Sequence, residues 1–111
     1  MRDIPGFEGL YAATSCGKIW SHKRKKFLKP ELLCNGYYRV ALRKDGETIR
    51  KRVHTLVAMT YIDNPEGYTE INHKDEVKTN NSIQNLEWCN HKYNVLYSKK
   101  LKKERENGKI V

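Results

Sequence analysis

The chain has 111 residues, 38% of them hydrophobic and 32% charged, with a formal net charge of +9. That composition supports one modest core and excludes two independent active domains or a deep, closed pocket, so a shallow, open site is expected. No apolar run approaches the roughly 20 residues of a membrane span, and Met1-Arg2-Asp3-Ile4-Pro5 lacks a signal-peptide core, which predicts a cytoplasmic protein with no membrane partner.

The first elements read as short strands joined by tight turns. Gly6-Phe7-Glu8-Gly9-Leu10-Tyr11 sets aromatic residues between glycines, and the turn Ser15-Cys16-Gly17 precedes a β-prone Lys18-Ile19-Trp20. The run His22-Lys23-Arg24-Lys25-Lys26 has no apolar periodicity and reads as a basic loop or exposed hairpin ending before Pro30. From Tyr37 to Arg43 the residues alternate with a period of two, giving an apolar face of Tyr38, Val40 and Leu42 and a basic, aromatic-bearing face. After the turn Lys44-Asp45-Gly46-Glu47, a second strand, Thr48 to Val53, again exposes cations, so the two predict a hairpin with a basic face.

His54 to Ile62 is apolar at 56, 57, 59 and 61 and predicts a core helix of two to three turns, stopped by Asp63-Asn64-Pro65-Glu66-Gly67. Residues 69–85 form a polar, asparagine-rich stretch too long for an idle linker, with His73 in an extended segment. Asn80 and Asn81 read as turn residues. Leu86 to Cys89 reads as a strand, Asn90 as the N-cap of a second helix, and the charged tail from Lys99 either as a helical arm on nucleic acid or as a disordered segment. Cys16, Cys34 and Cys89 are odd in number and widely spaced, which reads as reduced thiols rather than a disulfide framework.

Charge divides the chain. Lys and Arg outnumber Asp and Glu by 13 to 5 over residues 1–53 and by 6 to 2 over residues 99–111, whereas residues 54–98 carry 3 against 6. Basic ends suit a polyanion, and a mildly acidic centre suits a divalent cation, so nucleic acid is the expected partner. Lys23, Arg24, Lys25, Lys26, Arg39, Arg43, Arg50 and Arg52 are the candidate nucleic-acid contacts, chiefly to phosphates. In the centre stand His73, the adjacent amide of Asn72, and asparagines 12 and 21 residues past His73, at Asn85 and Asn94. A strand, loop and helix carrying these could fold around one hard cation, which needs few protein oxygens when a phosphodiester completes its shell. The imidazole could take a proton from an attacking water, since its unperturbed pKa lies near working pH. His54 reads equally as support for such a site or as a packing histidine.

Val53-His54-Thr55-Leu56-Val57-Ala58, Ile62-Asp63-Asn64-Pro65, Ile71-Asn72-His73-Lys74-Asp75, Asn80-Asn81, Asn85-Leu86-Glu87-Trp88-Cys89 and Tyr93-Asn94 together resemble an HNH homing endonuclease of the phage type. Gly6-Phe7-Glu8-Gly9-Leu10-Tyr11, with Ser15, Gly17, Ile19 and Ser21, resembles the nuclease-associated DNA-binding module that often precedes such domains. The resemblance covers most of the chain. It implies an α+β fold: a small antiparallel β module over residues 1–48, a ββα-metal (His-Me finger) HNH core over 49–98, and a basic tail over 99–111. It further implies that His73 is the general base, that Asn72 and Asn94 bind the metal, Mg2+ or Mn2+, and that Asn85 braces the loop carrying His73. The expected activity is hydrolysis, by nicking, of double-stranded DNA by a monomer in a phage-infected bacterial host. Many such enzymes have Asp where Asn72 stands, and many continue into a C-terminal specificity module. A catalytically weak or inactive DNA-binding module on the same scaffold is the alternative.

Overall fold

The computed structural model describes residues 1–92 and residue 96. Among them, nine short strands and one α-helix form three antiparallel sheets, an α+β architecture. The first sheet takes β1 (Arg2–Asp3), β2 (Tyr11–Ala13), β3 (Ile19–Ser21) and β4 (Lys26–Phe27) in chain order. The basic run from Lys23 to Lys26 forms the turn of the β3–β4 hairpin and enters β4, exposed throughout. Polar side chains reaching water from a tight turn need no partner, so this run can stay charged.

The second sheet is β5 (Glu31–Leu32), β6 (Tyr38–Lys44) and β7 (Glu47–Arg52). Asp45 and Gly46 both have positive φ, 53° and 78°, the conformation of a two-residue turn whose twist matches its flanking strands. The resulting register decides the faces. Arg39 stands opposite Arg52, Ala41 opposite Arg50 and Arg43 opposite Thr48 on one face, while Val40, Leu42 and Ile49 turn to the other. Val40 and Leu42 are buried there.

Helix α1 (Val53–Tyr61) follows β7 with no intervening residue and begins one position earlier than its apolar pattern predicts. Its N-cap, Arg52, makes no side-chain capping bond, and nine residues are too few to hold a helix in water alone. Packing therefore carries it. Val53, Leu56, Val57 and Ala58 are buried among Ile4, Ala13, Ile19, Leu42 and Leu86, so one apolar cluster joins the N-terminal sheet, the hairpin and the third sheet. Beyond α1 the backbone turns extended at Ile62, and Asn64 closes the following loop with two hydrogen bonds to the Tyr68 backbone.

The polar stretch then resolves into β8 (Glu70–His73), a loop, a 3-10 turn at Ile83–Asn85, and β9 (Leu86–Cys89), with His73 paired to Leu86 and Asn72 to Glu87. His91 and Lys92 begin a helical turn. The Asn94 position and the 99–111 tail lie outside the described residues. Cys89 is buried, whereas Cys16 and Cys34 are exposed, and all three are free thiols. No helix among the described residues is long and apolar enough to cross a membrane.

Burial along α1 sets a test of this packing. Leu56→Ala removes a fully buried side chain and should cost about 2–5 kcal/mol. Met59→Ala, on the exposed face, should stay within about 0.5 kcal/mol. Denaturant unfolding of both variants measures the contrast, and equal losses would mean that the helix is turned differently.

Candidate active site and basic face

Three rings meet where α1, β8 and the segment before β6 converge. His54 and His73 lie edge to face with centroids 5.0 Å apart, and the Tyr37 ring is 4.9 Å from His54 and 5.8 Å from His73. Tyr37 is itself flanked by two cations, Arg52 at 4.9 Å and Lys78 at 5.0 Å from its centroid. Sequence reading put Tyr37 on the basic side of the hairpin; the structure half-buries it between those cations and the imidazoles. That placement depends on where the chain turns before β6, which alternation does not report.

His73 is 5% exposed, and its Nε2 lies 2.9 Å from Asn81 Oδ1. An amide oxygen only accepts, so Nε2 carries the proton and the lone pair sits on Nδ1. The sequence predicts a turn role for Asn81. Instead it is 4% exposed and its side chain points inward, while its neighbour Asn80 keeps the turn, donating to Asp75 Oδ2 at 2.7 Å and accepting from Ser82. Asn85 hydrogen-bonds the loop rather than the imidazole. Its Oδ1 accepts from the Asp75 backbone at 3.0 Å, and its Nδ2 donates to Asp75 Oδ1 and the Asn80 carbonyl, each at 2.9 Å.

Asn72 is 3% exposed on β8 and donates through Nδ2 to Glu87 Oε1 at 2.8 Å. Its Oδ1 is therefore the end left for a hard cation, and the carboxylate across the strand pair adds negative charge beside it. Amide and carboxylate oxygens of this kind fit a divalent cation of the Mg2+ class. No group of three or more His, Cys, Asp or Glu suited to a metal occurs among the described residues. Sequence reading did not single out Glu87; the cross-strand register that pairs it with Asn72 is the signal that finds it.

The candidate DNA contacts fall into two sets that the fold brings together. Arg39, Arg43, Arg50 and Arg52 share one face of the β6–β7 hairpin. Arg39 is bound to Glu31 at 2.7 Å, which relieves its repulsion with Arg52 directly opposite. Lys23, from the β3–β4 turn, joins Arg43 and Lys44 in lining a cleft of about 330 Å³, and Arg24 and Lys26 line a second beside Ala41. Through Arg52 and Tyr37 the arginine face ends at the histidines.

Burial also sets the charge state. The His54 imidazole is pushed down from 6.5 to about 3, first by burial and then by His73 and Arg52 nearby, and its Nδ1 is buried with no partner among the described residues. His73 is likewise below its ordinary value, chiefly through burial; the Asn81 bond and Asp75 oppose that effect and Lys78 reinforces it. Asp75 is held low first by the Asn80 hydrogen bond and then by the Val77 backbone.

Residues 2–43 match the NUMOD4 motif family and residues 51–96 match the HNH endonuclease family. An uncharacterised HNH endonuclease of Acanthamoeba polyphaga mimivirus is 41% identical over 87 residues, 78% of this chain and 26% of that protein. The DNA endonuclease I-HmuI of Bacillus phage SP01 is 38% identical over 94 residues, 85% of this chain and 54% of that protein. A solved structure described as DNA binding and cleavage by the HNH homing endonuclease I-HmuI superposes with a TM-score of 0.83 at 35% identity, covering 98% of this chain and 66% of that one. The chain spans about a quarter to a half of the length of these two curated relatives.

Neutral burial of His54 makes stability depend on pH. In the unfolded chain it titrates at 6.5 and in the folded protein near 3, so its contribution is fully present above pH 6.5 and is lost as pH falls toward 3. Each such group should add about 1.4 kcal/mol of lost stability per pH unit across that window. Denaturant unfolding from pH 7.5 to 4.5 should show His54→Gln losing one group's worth of slope. An unchanged slope would mean that His54 is not buried in its neutral form.

Proposed function

The chain belongs to the HNH homing endonuclease family with an N-terminal module, and on that footing we propose that it hydrolyses phosphodiester bonds in double-stranded DNA, one strand at a time. The observation that carries the reading is His73: a buried imidazole whose Nε2 is occupied by Asn81, leaving Nδ1 as the base, at the end of a face bearing four arginines. The arginine face and the Lys23–Lys26 turn grip the phosphates and set the duplex against β8.

His73 Nδ1 takes a proton from a water that attacks phosphorus in line. The new bond forms from the water oxygen to phosphorus, the bond to the 3′ oxygen breaks, and that oxygen takes a proton from solvent, so the strand ends in a 5′-phosphate and a 3′-hydroxyl. His73 is neutral at physiological pH because burial outweighs the groups that raise its pKa. Asn72 would hold a divalent cation, Mg2+ or Mn2+, with Asn94, outside the described residues, as the second ligand that the resemblance implies, and the bound cation would supply charge neutralisation at the phosphate. Glu87 orients the Asn72 amide, Asn85 holds the shape of the loop behind His73, and His54 packs the imidazole from the helix side. One such centre per monomer accords with nicking.

Supercoiled plasmid incubated with the protein and Mg2+ or Mn2+ should convert to open circle, and EDTA or His73→Ala should abolish conversion while gel-shift binding persists. Binding without conversion would favour the catalytically inactive DNA-binding module. Arg43→Gln and Arg50→Gln should each weaken binding to every sequence and lower the salt-dependence slope by about 1. Slopes equal to the parent would place the duplex on another face.

A further inference from the structure

We propose that Asn81 is a positioning residue for His73, and that the N-terminal module holds it in place through the turn at Ser15–Gly17. The inference rests on the reading of His73 as general base. Asn81 is buried, and its Oδ1 accepts from His73 Nε2 at 2.9 Å. Its backbone is held from both flanks: Asn85 Nδ2 binds the carbonyl of Asn80, and the Ile83 N–H donates to the Ser15 carbonyl at 2.9 Å.

Gly17 makes the closest approach. Its φ is +95°, and a Cβ there would lie 2.8 Å from the Asn81 carbonyl oxygen and 2.9 Å from Asn81 Cβ, distances that side chains do not adopt. Only glycine lets the turn close on the loop. Thr14 knits that turn, accepting from the Gly17 backbone at its carbonyl and from the Lys18 backbone at Oγ1. The module that would lie on DNA therefore abuts the residue that decides which imidazole nitrogen carries the proton. Proper docking of the module and a correctly oriented base become one structural condition.

The test uses the full chain with Asn81→Ala, Asn81→Asp, Gly17→Ala and His73→Ala. Two readouts are taken: plasmid nicking resolved into kcat and KM, and long-range proton–nitrogen NMR correlations that report which His73 nitrogen is protonated in the metal-free protein. Asn81→Ala should mix the tautomers and lower kcat by about 10- to 100-fold with KM unchanged. Asn81→Asp keeps an acceptor in place, so it should restore both the single tautomer and most of kcat. Gly17→Ala should reproduce the Asn81→Ala signature; should it fail to fold, the two Asn81 variants still decide the role of the amide. A folded Asn81→Ala with the parental tautomer and kcat overturns the proposal. Parental cutting by His73→Ala overturns the base reading instead, and is told apart because Asn81→Ala would then move the tautomer without moving kcat.

Discussion

An imidazole withdrawn from water must find partners for its ring nitrogens, and the bond from His73 Nε2 to Asn81 Oδ1 meets that requirement on one side only. Much of the loop architecture can be understood as the means of keeping that bond. Asparagine is short, so its amide reaches the ring only if the backbone at 81 is fixed. Asp75, Asn80 and Asn85 bond one another and the intervening backbone, which makes a loop with little apolar content rigid through hydrogen bonds. A neighbouring imidazole, His54, fills the space behind and stays neutral, so it adds no charge to the one that Lys78 already sets against a proton on His73.

Charge is distributed to complement that site. Arg39 and Arg52 directly opposite each other are unfavourable in isolation, and the fold offsets the conflict locally, with Glu31 on one and the Tyr37 ring beneath the other. Arg50 has a small neutral neighbour, Ala41, across the strands, which leaves its guanidinium exposed. A face built this way gains more from a polyanion than from further internal pairing. Two further carboxylates lie away from that face: Glu87 beside Asn72, and Glu70 within 3.0 Å of His91. Cations therefore border the proposed phosphate path while carboxylate lies next to the place proposed for a metal.

Local patterns were legible in the sequence wherever a period or a turn residue carried them. Alternation marked the two faces of β6, exposed cations marked β7, Asp45-Gly46 marked the turn, and the apolar spacing from 56 marked α1 to within one residue. His73, Asn72 and Asn85 stood out by residue chemistry and by the resemblance to HNH enzymes, and the structure brings the first two onto one strand with the third closing the loop behind. What stayed hidden depends on contacts between distant segments. Asn80 and Asn81 are chemically identical neighbours, and which one turns inward is set by Ser15 and Gly17, far away in the chain. Tyr37 and Lys78 join the site for the same reason, and Glu87 joins it through strand register.

Small size explains why such distant contacts carry so much. A chain of this length buries a modest fraction of its surface, so neither half has apolar material to spare for a core of its own. The two halves share one instead. Ile4, Phe7, Tyr11, Ala13 and Ile19 pack in the same cluster as α1 and Leu86, and polar ties reinforce the seam: the Arg43 N–H donates to the Tyr11 hydroxyl at 2.9 Å, and the Tyr61 hydroxyl donates to the Ala13 carbonyl at 2.7 Å. The β6–β7 hairpin pairs its two strands from Arg39–Arg52 to Lys44–Glu47. Because the seam is continuous with the loop at Asn81, displacing the N-terminal sheet would loosen the core and disturb the His73 imidazole together.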